Sequence, residues 1–271
     1  MNVRYSYIEC KNALSTSRLP GLRYSLNPYA GCEHGCLYCY AQAFSEVRSK
    51  ASGWGSFVKT KHNIVDALLR QLPSLPVGPV GVSTITDPYQ PLEAKHGLTR
   101  RCIEILASSK FHVSIQTKSA LVLRDIDIIF PGKFDFGVTI TTLDADLARK
   151  LQPRASSPEI LAEVVEEFAA RGVPTWVFLG PIVPELSDST ESIRKVIEVA
   201  KKSNSELIYD KLNLRPFVLR SLTPLLEMET PGLVGRLPEL VKQGSLYWRG
   251  LRSKIEHLCR DLGVKCKSAF P

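Results

Sequence analysis

Long apolar runs are missing from this 271-residue sequence. A membrane-crossing helix needs about 20 consecutive apolar residues. The run around residues 176–183 is shorter and is broken by Gly180 and Pro181. The opening residues, MNVRYS, lack the apolar centre of a secretory signal. The expectation is a cytoplasmic protein with no membrane association. Internal repeats and low-complexity tracts are absent too. An even number of cysteines is also missing: there are seven, three of them tightly clustered, which argues against a disulfide framework and for bound metal. Acidic excess is lacking as well. The 35 basic and 27 acidic residues give a formal charge of +8. That balance permits an anionic partner such as nucleic acid without requiring one, the alternative being a solvated basic surface.

What is present suits a soluble globular chain, with 44% hydrophobic and 23% charged residues. Its length allows one large core, with or without an appendage. Up to about Pro28 no periodicity is sustained. Helical spacing follows at 61–72, a valine-rich strand at 80–85, a helix at 98–108 and a strand at 111–117. Helical segments at 122–129 and 145–151 flank a strand at 134–141. The next helix has clear borders: Ser157 as cap, Pro158 in the first position, Glu159 beside the N-terminal dipole and Gly172 as stop. Its buried stripe reads Ile160, Leu161, Val164, Val165, Phe168. A strand at 173–179 follows, then a helix opened by an Asp188/Glu191 capping box and running to about Lys201, then closing strands at 207–209 and 212–218.

Repeated strand–helix units imply a parallel sheet, because each parallel return needs a crossover. About six units fit, too few for an eight-stranded barrel. The expected fold is α/β, a partial (β/α)6 TIM-like barrel with its chemistry at the C-terminal strand ends. The expected domains are an N-terminal extension (1–23), the partial-barrel core (24–220) and a C-terminal helical extension (221–271) packed on the core. In the last of these, Leu251, Ile255, Leu258 and Leu262 form an apolar face, and residues 248–267 carry six basic and two acidic residues.

The segment NPYAGCEHGCLYCYAQAF (27–44) places Cys32, Cys36 and Cys39 in C-x3-C-x2-C spacing, with Gly31 and Gly35 giving the loop freedom to wrap a cluster. Three thiolates on a four-iron cubane would leave one iron open to a small molecule. The competing reading is structural zinc with His34, His62 or His96 as fourth ligand, although such sites usually pair their ligands. Cys102 lies in an apolar helical stretch and reads as a core residue. Cys10, Cys259 and Cys266 are distant candidates for a second cluster.

This motif, with Tyr38 before its third cysteine, resembles the radical S-adenosylmethionine (SAM) superfamily and, within it, the spore photoproduct lyase-related group. Supporting segments are TDPYQPLE (86–93), TKS (117–119), TITTLD (139–144), LQPRASSPE (151–159) and GPIVPELSD (180–188). The resemblance implies a 4Fe–4S cluster on the three cysteines and SAM chelated at the open iron. Reductive cleavage would then yield a 5′-deoxyadenosyl radical that abstracts hydrogen from a substrate. It also implies a reductant such as ferredoxin or flavodoxin, and a nucleic-acid base as candidate substrate in repair or modification. By the same resemblance Tyr38, Thr86, Asp87, Lys118, Arg154, Gly180 and Ile182 are cofactor-binding candidates, and Tyr40 is a candidate hydrogen relay. One departure stands out. Thr84 occupies the place of the lyase's hydrogen-donating cysteine, which speaks against thymine-dimer repair. The alternatives are the same core acting on a peptide, protein or small metabolite, or a non-enzymatic metal- or RNA-binding module.

Overall fold

Runs rich in Val, Ile and Phe become strands whose alternate residues enter one apolar core. The computed structural model describes residues 3–44 and 53–269. In chain order the first elements are β1 (Arg4–Ile8), β2 (Leu14–Thr16), β3 (Tyr24–Leu26), β4 (Tyr29–Ala30), β5 (Phe57–Lys61), α1 (Ile64–Gln71), β6 (Val80–Val82), α2 (Glu93–His96) and α3 (Leu98–Ala107). Then come β7 (Val113–Thr117), β8 (Phe134–Thr139), α4 (Ala145–Leu151), α5 (Pro158–Ala170), β9 (Thr175–Ile182), α6 (Thr190–Lys202) and β10 (Glu206–Lys211). Helices α7 (Pro216–Glu229), α8 (Leu233–Leu240) and α9 (Leu246–Leu262) precede β11 (Cys266–Ser268).

The main sheet has the order β11-β10-β9-β8-β7-β6-β3-β2. Every pairing from β3 to β11 is parallel, and β2 closes the other edge antiparallel. Six parallel strands in sequence order, β3 and β6 to β10, are the expected partial barrel. Val113, Ile115, Phe136, Val177, Leu179, Leu207 and Tyr209 point outward into the buried core under the helices. Their alternates, among them Ser114, Gln116, Asp135, Trp176, Phe178 and Asp210, are half-buried on the inner face. At Gly137 a Cβ would lie 2.3 Å from the Trp176 ring, so only glycine lets the indole lie across β8. No described helix is long and apolar enough to cross a membrane.

The helix borders read from α5 are found: Ser157 accepts from Ile160 N–H, Pro158 starts the helix and Gly172, at φ +77°, follows its end. Several expectations need correction. Ile160 is 44% exposed, because Leu161, Val164, Val165 and Phe168 already complete the i, i+3, i+4, i+7 stripe. The cap of α6 is Ser189, which accepts from Ser192 N–H at 3.1 Å; the Asp188 carboxylate instead accepts from Tyr247 OH. Residues 122–129 hold a 3-10 turn, Ala120–Asp125, rather than an α-helix, with Asp125 drawn into ion pairs with Arg100 and Arg124. Residues 212–218 are no strand, since Pro216 begins α7.

The N-terminal stretch does contain strands. β1 pairs in parallel with β5, and a partner so distant in sequence leaves no local periodicity. After β10 the chain divides its packing. Helix α9 lays Leu251, Ile255 and Leu258 into the main core. Helices α7 and α8 instead form a second apolar cluster that includes Cys36 and Tyr38, covering the cysteine loop.

Candidate active site

Strand β4 delivers the chain into Gly31, whose φ of +87° suits glycine. A Cβ there would lie 2.5 Å from the Phe57 carbonyl oxygen, so the loop can lie flat on β5 only with glycine. Cys32 and Cys36 are buried and Cys39 is half-buried. Burial pushes all three thiols up, Cys36 to about 12, and negative charge on neighbouring cysteines and Asp87 pushes the same way. Lys118 opposes this at Cys36 and Cys39. Such a set resists ionisation unless a cation compensates it, which suits binding of iron with release of the thiol protons. Among the described residues no three His, Cys, Asp or Glu side chains gather about one ion-sized point. A cubane takes one thiolate per iron, so its ligands need not meet at one point.

The segment after β6 clamps this loop. Thr86 OH donates to Gly31 O at 2.6 Å, and Gln90 bridges Thr86 Oγ1 and the Glu33 N–H. The Glu33 carboxylate accepts from Leu92 N–H at 2.6 Å and from Tyr5 OH at 2.9 Å. Arg154 donates from Nη1 to Glu33 O at 3.0 Å and Gly55 O at 2.7 Å, tying the far side of the loop. Asp87 accepts from Thr117 OH, Tyr89 N–H and Lys118 N–H, and faces His34 Nδ1 at 3.5 Å. Thr86 and Arg154, picked as cofactor contacts, thus bond the cysteine loop itself, while Asp87 bonds Thr117, Tyr89 and Lys118 and faces the loop at His34.

Lys118 Nζ stands 6.0 Å from the centre of the Tyr38 ring. Tyr38 OH bonds Gln152 Oε1 and Thr141 Oγ1, and Thr141 OH donates to Gly180 O, so Tyr38 and Gly180 are linked through one hydroxyl. Ile182 is buried two residues beyond Gly180. Tyr40 OH donates to the Thr84 carbonyl and its ring is 38% exposed. His62 and His96, the distant zinc candidates, instead flank Tyr7 with ring centres 6.4 and 5.9 Å away. Cys259 and Cys266 lie on α9 and β11 at one edge of the main sheet, whereas the Cys10 backbone is bonded by Asn63 just before α1, so the second-cluster candidates stand on different elements. Cys102 is fully buried in the core.

A family model described as the radical SAM superfamily matches residues 26–200. The chain belongs to the radical SAM superfamily. It is therefore an enzyme that works with a 4Fe–4S cluster and S-adenosylmethionine. An uncharacterised protein of Methanocaldococcus jannaschii is 29% identical over 209 residues, 77% of either chain. One of Mycobacterium tuberculosis is 29% identical over 98% of this chain and 82% of its own. Spore photoproduct lyase complexed with dinucleoside spore photoproduct shares the fold, with a TM-score of 0.73 at 14% identity over 98% of this chain and 82% of the lyase. A radical SAM methyltransferase from Sphaerobacter thermophilus gives 0.58 at 13% identity over 91% and 66%.

Three residues of this radical SAM site were not picked from sequence, and a fourth, His34, was picked only as a zinc ligand. Glu33, His34 and Gln90 lie inside motifs already singled out, and their polar character between ligands was the available signal. Asp210 had none. It opposes Gly180–Pro181 across an irregularity in register, Tyr209 facing Leu179 but Lys211 facing Ile182, and such irregularities re-aim side chains near active sites. Burial raises the Asp210 carboxyl from 3.8 to about 6, against the pull of the Lys211 N–H and charge. A carboxyl raised on folding costs nothing below the unfolded value. Its cost grows as pH climbs from about 4 through 6. Asp210→Asn is thus expected to add about 1–2 kcal/mol at pH 7.5 and nothing at pH 4. Urea midpoints at the two pH values check this, and equal midpoints for both proteins at pH 7.5 would refute it.

Proposed function

We propose that this radical SAM enzyme acts on a nucleic-acid base, in repair or modification, with Cys32, Cys36 and Cys39 as cluster ligands. The observation that carries the site is the three-thiol loop clamped across the C-terminal ends of the parallel strands, where barrel enzymes place their chemistry. Bound together, the reduced cluster and SAM supply a carbon radical able to take hydrogen from an unactivated C–H bond. The chain's own residues do the rest. Lys118 offers an ammonium group suited to a carboxylate. Tyr38 and the Gly180–Ile182 segment offer an aromatic ring and backbone groups to the adenine. Thr86 and Arg154 serve by holding the loop that presents the site, and α7 and α8 shield it from water.

Support for a base as substrate comes from the inner face. Trp176 and Phe178 provide flat aromatic surface there, beside hydrogen-bonding Ser114, Gln116 and Thr139. The +8 charge favours a phosphate-bearing partner, and a lyase of the same fold is seen with a dinucleoside lesion. Modification fits better than the lyase's own reaction. Thr84 OH donates to Ser25 Oγ, and a hydroxyl is a far poorer hydrogen-atom donor than a thiol. Tyr40 is the candidate relay, and Tyr40→Phe should lower turnover while leaving iron content intact. Unchanged turnover and deoxyadenosine would remove it from the mechanism. The cytoplasm is the fitting compartment for cluster and reductant, and none of the seven cysteines is in a disulfide. Ferredoxin or flavodoxin is the fitting electron donor.

The test begins with anaerobic reconstitution, then dithionite and SAM, then assay for 5′-deoxyadenosine. Binding of a single-stranded oligonucleotide is measured across salt concentrations, and deuterium transfer from oligonucleotides is traced. Formation of deoxyadenosine with steeply salt-dependent binding is expected. Salt-insensitive or absent binding would move the substrate to peptides or small metabolites. Bound zinc in place of iron, with no deoxyadenosine, would sink the reading.

A further inference from the structure

Asp87 is a buried charge whose role is not exhausted by holding a turn. Asp87 is 7% exposed, and the three donors hydrogen-bonded to it are all neutral. Oδ1 accepts from Thr117 OH at 2.6 Å and Tyr89 N–H at 2.9 Å, and Oδ2 accepts from Lys118 N–H at 2.9 Å. No Lys or Arg pairs with it among the described residues. Its remaining neighbour is His34 Nδ1 at 3.5 Å. That imidazole is 1% exposed, has no hydrogen-bond partner at Nδ1, and stands within the motif between Cys32 and Cys36. Burial by itself would protonate the carboxyl, yet His34, Thr117 and the Lys118 N–H hold it down to about 2. Three donors directed at its two oxygens favour the ionised form.

The charge reaches the ligands. His34, which Asp87 faces at 3.5 Å, stands two residues from both Cys32 and Cys36, so the buried carboxylate lies against the ligand loop. Lys118 brings the opposite charge to the side of the Tyr38 ring, its ammonium 6.0 Å from the ring centre. A fixed anion beside a redox centre disfavours the state carrying one more electron, and low local dielectric lengthens its reach. Hydrogen bonds, net charge and exposure are the protein's levers on cluster potential.

We propose that Asp87 is a redox-positioning residue: its buried carboxylate, facing His34 in the cysteine loop, lowers the reduction potential of the cluster on Cys32, Cys36 and Cys39. The electron held there then has more driving force to reduce a sulfonium. The proposal rests on the three-cysteine cluster reading. A structural role alone would need only an acceptor at this position. Asn keeps the shape and one acceptor but removes the charge, while Glu keeps the charge but alters the shape.

Wild type, Asp87→Asn and Asp87→Glu are reconstituted without oxygen, their iron is counted, and each cluster is titrated by EPR without SAM. D87N should hold its iron and show about a tenfold easier one-electron reduction, a rise of ~59 mV. D87E should stay close to wild type. The proposal is overturned by an iron-loaded D87N with wild-type potential, or by a D87E that shifts as far as D87N. It also fails if D87N cannot take up iron, because the carboxylate would then serve assembly. Failure of the wild type to take up iron is a different outcome, and it removes the cluster reading itself.

Discussion

Replacing Cys32, Cys36 and Cys39 together by alanine is expected to leave a folded protein with no bound iron and no deoxyadenosine formation. The fold should survive because the main apolar core under the sheet includes none of the three. Only Cys36 packs buried in the second cluster, beneath α7 and α8, where Cys→Ala removes little volume. Iron should vanish, from about four per wild-type chain, because the cubane loses all three of its thiolate ligands. Each single variant should lose most of its iron too, since no spare thiol lies beside the loop to take over an iron. Circular dichroism, iron assay and the absorbance of the reconstituted protein check all three statements. Iron retained by the triple variant would show that the cluster sits elsewhere.

Loss of Glu93 is expected to be the most damaging single change to stability. Its carboxylate is fully buried and accepts from Tyr29 OH, Arg124 Nη2 at 2.8 Å, Thr99 N–H at 3.0 Å and Arg100 N–H at 3.3 Å. Glu93→Ala leaves a phenol and two amides without their acceptor and takes from Arg124 one of its two carboxylate partners. Breaking one side of a buried pair costs about 3–5 kcal/mol, against total stabilities of about 5–15 kcal/mol. The variant should lose a large part of its urea midpoint or accumulate insoluble. Tyr29→Phe removes one hydrogen bond and should cost about 1 kcal/mol. Because Tyr29 sits in β4 just ahead of Gly31, both variants should also weaken iron retention, E93A the more. An E93A protein with a wild-type midpoint would show that the network carries no stability.

Much of the scaffold was readable because its signals are local. Valine-rich runs at β6 and β7, the capped α5 and the six strand–helix units depend on residues close in sequence. The misreadings share a different cause. The alternation at 212–218 looks like a strand until Pro216 starts a helix, and Asp188 looks like a cap until Tyr247, 59 residues away, claims it. β1 and β11 are strands chiefly by virtue of β5 and β10 beside them.

The sequence by itself determined the family and singled out the three thiols, because a ligand motif is chemistry at fixed spacing on one short loop. It also determined the parallel architecture, which follows from alternating periodicities. Only the tertiary structure decided what surrounds the loop. It turned Thr86 and Arg154 into its anchors, set His34 against the buried Asp87 carboxylate, and laid α7 and α8 over Cys36 and Tyr38. Those contacts depend on strand register and helix packing between residues far apart in the chain, and no local pattern of residues encodes either.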